Sequence, residues 1–166
     1  MEDNFSRSKK AERKTKIKAY VLSILISLAA GTLSSVFAGG MKSVQGLTDP
    51  PLMPPPWVFP VVWTVLYVLM GISAARIYLK KTPQTKQALI CYAVQLIVNV
   101  IWSPLYFALQ LRLAAFIWLL VLIGLIIVMI IRFGYVDKKA AYIQLPYLIW
   151  AFFAAYLNLG TYLLNG

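Results

Sequence analysis

The chain has no histidine, a single cysteine and only five acidic residues among its 166 positions. The acids are Glu2, Asp3, Glu12, Asp49 and Asp137, all in the leading tail or between the long apolar segments. Without histidine no nucleophile–histidine–acid relay can be assembled, and without two carboxylates at membrane depth there is no acid–base couple for hydrolysis. Metal sites are built from clustered His, Cys or carboxylates, so none is expected. Cys91 stands alone in an apolar run, which excludes a disulfide framework. Proton-coupled transport usually rests on an acid or histidine inside the membrane, and the sequence places none there.

What the chain does have is apolar surface: 61% of its residues are hydrophobic and only 13% are charged. Five stretches are long enough to cross a bilayer, at about residues 19–38, 57–79, 87–108, 113–131 and 140–163. The expected fold is therefore all-α, an integral membrane bundle of five transmembrane helices (residues 19–166) behind a basic tail (residues 1–18). The first apolar run is too long for the core of a cleavable signal and is read as a membrane span.

A net charge of +11 invites a nucleic-acid reading, but its distribution argues against one. Seven cations lie in the tail, from Arg7 to Lys18. Arg76, Lys80, Lys81 and Lys86 lie between the second and third spans, and Arg132, Lys138 and Lys139 between the fourth and fifth. The opposite side holds only Lys42 and Arg112, a ratio of fourteen to two. This is a positive-inside pattern for a multi-pass protein of the cell membrane, with the N-terminus cytoplasmic, the C-terminus outside and no nucleic-acid partner. The tail is also suited to touching anionic lipid headgroups.

Small residues recur at helical spacing in the first span (Ala30, Ser34 and Ala38, beside Gly31, Ser35 and Gly39) and fit either a packing seam or a homodimer face. The loop that follows, TDPPLMPPP, is stiffened by proline and suits either a rigid spacer or a fixed cover. In the second span Trp63, Tyr67 and Gly71 share a face, below an interfacial Trp57. The third carries Gln95, Asn99, Trp102 and Tyr106 along one stripe, and Pro104 kinks or ends it. Lipid offers these amides no partner, so the stripe must face protein or a cavity. The fourth has no strong hydrogen-bonding side chain except the Trp118 indole. It is expected to be the most lipid-exposed, with Trp118 as an interfacial anchor. In the fifth, Tyr147, Trp150, Ala154 and Asn158 form a further stripe, either helix packing or a surface on which a flat ligand stacks. A site is thus expected between the second, third and fifth spans, under the proline loop.

The runs PPPWVFPVVWTVLYVLMG, ALICYAVQLIVNVIWSPLYF and PYLIWAFFAAYLN resemble the tryptophan-rich sensory protein and translocator protein family (TspO/MBR), in order and spacing. The resemblance implies a five-helix bundle, often dimeric, that binds porphyrins and other planar hydrophobic ligands among its first, second, third and fifth helices beneath the first loop. It implies pocket roles for Trp63, Trp150, Tyr67, Gln95, Asn99, Trp102, Tyr106 and Ala154, and no obligatory cofactor. Some bacterial members of that family degrade protoporphyrin in light, and the resemblance makes Trp63 and Trp150 the photochemical candidates here. The sequence departs from the family pattern at Ser43-Val44 and Pro51-Leu52, where aromatics are usual. No basic residue follows Tyr156 or Tyr162 as the animal sterol motif requires, so specific sterol binding is not expected.

The expected function is a membrane receptor or sensor for protoporphyrin IX or a haem-like tetrapyrrole. Indole stacking supplies affinity, amides supply orientation, and Lys42 or Arg112 meets a propionate. Light-dependent porphyrin degradation and passive tetrapyrrole transport are the alternatives.

Overall fold

A segment surrounded by hydrocarbon must satisfy its backbone polar groups internally, and the apolar runs do so as helices. The computed structural model describes residues 2–39 and 46–166. Six α-helices and one π-helical turn account for most of them, with no strand among the described residues. They are α1 (Glu2–Phe37), α2 (Val58–Lys80), α3 (Thr85–Ser103), the π turn Pro104–Ala108, α4 (Arg112–Val136), α5 (Lys138–Ile143) and α6 (Leu145–Asn165). Five spans are long and apolar enough to cross a membrane, the fifth made of α5 and α6 together. The basic tail continues α1 without a break. Its 36 residues reach about 54 Å, well beyond a hydrocarbon core of about 30 Å.

Prolines set the irregularities. Pro104 has no N–H to give the Val100 carbonyl, so the α-helix of the third span stops at Ser103 and a π turn follows. The spare carbonyl is taken by α1: Ser34 Oγ donates to it at 3.0 Å. Pro146 acts in the same way in the fifth span, which is not the single helix the sequence suggests. With no proline N–H to meet the Tyr142 carbonyl, the helix breaks at Gln144 and restarts with Pro146 in its first turn.

α1 packs on α2 and α3, α4 on α3 and α6, and α5 on α2 and α4. Gly71 lets α2 lie on the backbone of α1. A Cβ there would come within 2.5 Å of Ile24 Cα. Gly31 lies flat against the Tyr67 ring, leaving no room for a methyl group. Gly31, with the buried Ser34 and Ala38, thus serves a seam within the bundle.

The fourth span corrects the sequence reading. Ala115, Leu119, Leu122, Ile126, Met129 and Phe133 of α4 are completely buried. Of the most apolar stretch of each helix, 33% of residues are buried in α4 but only 11% in α1. Shape-matched aliphatic packing holds helices together in lipid without polar groups, so a lack of polarity did not mean a lack of neighbours. Trp118 is likewise no free anchor, because its indole N–H donates to the Val98 carbonyl of α3 at 2.8 Å.

At the basic end, Arg76 of α2 meets Asp137 at 2.7 Å, and Asp137 also caps α5 through the Lys139 and Ala140 amides. Burial alone would raise the Asp137 carboxyl, but the Arg76 charge and these hydrogen bonds together hold it below the usual value. Ser73 adds a bond to the Ala140 carbonyl at 2.8 Å. At the other end, the proline loop is clamped to α6. Asn165 exchanges two bonds with the Thr48 backbone, Pro50 rests on Gly160, and Tyr156 donates to the Pro51 carbonyl at 3.0 Å.

Candidate functional site

A cavity of about 380 Å³ lies between α1, α2 and the C-terminal end of α3. One wall is the small-residue face of α1: Gly31, Ser34, Ser35 and Ala38. The opposite wall is α2, where Phe59, Trp63 and Tyr67 recur every four residues and so project from one face. Asn99, Trp102 and Ser103 of α3, with Phe107 of the π turn, close the third side. Thr32, Ser35, Pro60 and Thr64 line the cavity and are also exposed on the outside of the bundle, so the opening is lateral, between α1 and α2.

Trp63 is the hub. Its ring lies 5.7 Å from Tyr67, 6.2 Å from Trp102 and 6.3 Å from Tyr147, the last edge-on. Trp102 in turn stacks on Tyr106 at 5.6 Å. Behind this aromatic surface the amides are held by tyrosines. Asn99 Nδ2 donates to the Tyr67 hydroxyl at 3.3 Å, and the Tyr147 hydroxyl donates to Gln95 Oε1 at 3.0 Å. Gln95, Asn99, Trp102, Tyr106, Tyr147, Ala154 and Asn158 are all buried, as polar and aromatic stripes in lipid require.

Not every expected site residue reaches the cavity. Trp63, Tyr67, Asn99 and Trp102 line it directly. Gln95, Tyr106 and Tyr147 support those four from behind, through the contacts just given. Trp150, Ala154 and Asn158 of α6 are absent from the lining, and the Trp150 ring instead meets Phe59 edge-on at 6.0 Å. The helical stripe on the fifth span was legible, but spacing alone does not say which neighbour a stripe meets. The proline loop also differs from the expected cover. None of residues 46–56 lines the cavity, and the described part lies along α6. Lys42 and the Ser43-Val44 departure lie outside the described residues.

Phe59 and the α1 hydroxyls are site residues that sequence reasoning missed. Phe59 lies one turn before Trp63 on the same face, a spacing that would have found it. Ser34 and Ser35 were visible only as small packing residues, and here both line the cavity while Ser34 also bonds across to α3.

Several buried polar atoms have no protein partner: Trp102 Nε1, Gln95 Nε2, Trp150 Nε1 and both amide atoms of Asn158. Unpaired buried donors are costly, and of these only the Trp102 indole belongs to a residue of the cavity lining, so it is the natural point for a ligand to satisfy. No charged side chain is among the lining residues. The chemistry offered is therefore stacking, apolar burial and neutral hydrogen bonding. Among the described residues no cluster of three or more metal-ligating side chains occurs.

The family model described as the TspO/MBR family matches residues 23–163. The chain is 33% identical to the tryptophan-rich protein TspO of Chlorobaculum tepidum, over 90% of this chain and 97% of that protein. It is 37% identical to protein CrtK of Rhodobacter capsulatus, covering 82% and 86%. It is 34% identical to the translocator protein of Ovis aries, covering 72% of each.

Proposed function

This chain belongs to the TspO/MBR family and is a multi-pass membrane protein, and from that premise we propose that it is a receptor for porphyrins, protoporphyrin IX among them, and for other planar hydrophobic ligands. The observation that carries the reading is Trp63, a half-buried indole on the cavity wall with three further aromatic rings packed around it. A flat π-system slid between this face and the small residues of α1 buries apolar area on both sides. The Trp102 indole and the Asn99 amide are the neutral groups that orient it. With no cation in the lining, carboxylates on such a ligand stay at the mouth of the cavity or in the headgroup region. The basic end of the bundle faces the cytoplasm on this reading.

Titration of protoporphyrin IX into the purified chain, followed by quenching of tryptophan emission, tests the reading. Trp63→Ala and Trp102→Ala are each expected to weaken binding about tenfold or more, the loss of one stacked aromatic face. Affinity unchanged in both variants would overturn the site.

Light-dependent breakdown of the bound porphyrin is the second reading, favoured by the continuous ring contacts from Tyr67 through Trp63 and Trp102 to Tyr106. Oxidisable rings in series beside an excited ligand need no acid–base pair. Illumination in air then removes the porphyrin absorption band in the native chain but not in Trp63→Phe, whereas a pure receptor returns the porphyrin intact.

A further inference from the structure

A second hollow lies at the opposite, basic end of the bundle, on the outside of the α2–α3 hairpin. It is an open groove of about 560 Å³. Its upper rim carries Lys81, Thr82, Thr85 and Lys86, and its floor is Tyr78, Leu89, Ile90 and Ala93. We propose that this groove binds one anionic phospholipid, with the phosphate between Lys81 and Lys86 and an acyl chain along α3.

The rim is built rather than loose. Lys81 takes a left-handed backbone conformation (φ 50°) that ends α2. Thr82 N–H donates to Thr85 Oγ1 at 3.0 Å and the two hydroxyls pair at 3.2 Å, so the turn is fixed by its own side chains. Both lysines are exposed, and neither forms an ion pair among the described residues. The nearby cation Arg76 is already paired with Asp137. No acidic residue lines the groove, so its charge is uncompensated.

Beyond the groove floor an exposed apolar stripe runs on down α3. Lys86, Ile90, Val94 and Ile97 follow one face of α3, and the three aliphatic residues are 52%, 42% and 62% exposed. From Lys86 to Ile97 the stripe runs about 16 Å down the helix, the direction an acyl chain takes from its headgroup. A free phosphate has no use for such a floor, and a neutral lipid has none for the two lysines. Basic pockets between membrane helices are recognised lipid-headgroup sites.

Native mass spectrometry of the detergent-solubilised full chain, titrated with dioleoyl phosphatidylglycerol, tests this. The Lys81→Gln/Lys86→Gln double variant is expected to bind about twenty-five-fold more weakly, the product of roughly fivefold for each lysine. A Lys138→Gln/Lys139→Gln double variant removes the same charge from the same end without touching the groove, and should shift affinity less than about threefold. Dihexanoyl phosphatidylglycerol and glycerol phosphate should both bind much more weakly than the long-chain lipid. Equal losses in the two double variants, or no loss in either, overturn the site. Glycerol phosphate binding as tightly as the lipid would make it a soluble-phosphate site and overturn the lipid assignment.

Discussion

The Tyr147 hydroxyl donates to Gln95 Oε1 at 3.0 Å while the Tyr147 ring stands edge-on to Trp63. One residue of α6 thus holds the amide stripe of α3 and also backs the central indole of α2. Tyr147→Phe keeps the ring but leaves the whole Gln95 side-chain amide without a protein partner, because its Nε2 already has none. The variant should lose about 1 kcal/mol of stability in thermal denaturation, yet retain porphyrin affinity within about threefold.

Gly71 makes a contrasting prediction about packing. Gly71→Ala drives a methyl group into the α1 backbone at Ile24 and should destabilise the bundle by about 2 kcal/mol. Gly124→Ala on α4 meets nothing within 4 Å and, in an exposed helix position, should be neutral or slightly stabilising. Thermal denaturation in the same detergent compares the two.

The two kinds of tryptophan separate by role. Trp118→Phe removes one indole bond to the Val98 carbonyl and should cost about 1 kcal/mol of stability without changing porphyrin affinity. Trp63→Ala should do the reverse to binding, as set out above. Parallel titration and melting curves of both variants check the separation.

Asp137 predicts a pH dependence of known sign. Its folded carboxyl lies below the ordinary value of 3.8, so the stability it contributes is fully present above that value and is lost as pH falls through the lower folded one. Asp137→Asn should be less stable than the native chain at neutral pH, and the gap should close under strong acid. Denaturation midpoints measured from pH 7 to pH 2 give the comparison. A gap independent of pH would mean that capping geometry, not charge, dominates.

The five spans were legible because bilayer thickness fixes helix length and hydrocarbon forbids an unpaired backbone. Pro104 and the Gln95–Asn99 stripe were legible for the same reason: a missing donor or a stranded amide leaves few alternatives. The burial of α4 was not legible, since aliphatic residues look the same toward lipid and toward protein. Pro146 lay in plain sight but was outweighed by the continuous apolar run around it. The cavity was half legible. The α2 and α3 faces could be read from spacing, whereas the α1 wall is built from the same small residues that pack helices together. The placement of Trp150 behind Phe59 depends on how α6 is rotated, which no periodicity encodes.

The bond from Ser34 to the Val100 carbonyl has a consequence for how the cavity adapts. α1 is the least covered helix, and by cover alone it would be the easiest wall to displace. Drawing it back at Ser34 would strand in hydrocarbon a peptide oxygen that Pro104 cannot serve. On the proposed reading that cost, about 1 kcal/mol, favours meeting bulkier guests by turning rings such as Phe59 and Phe107 before the helical frame moves.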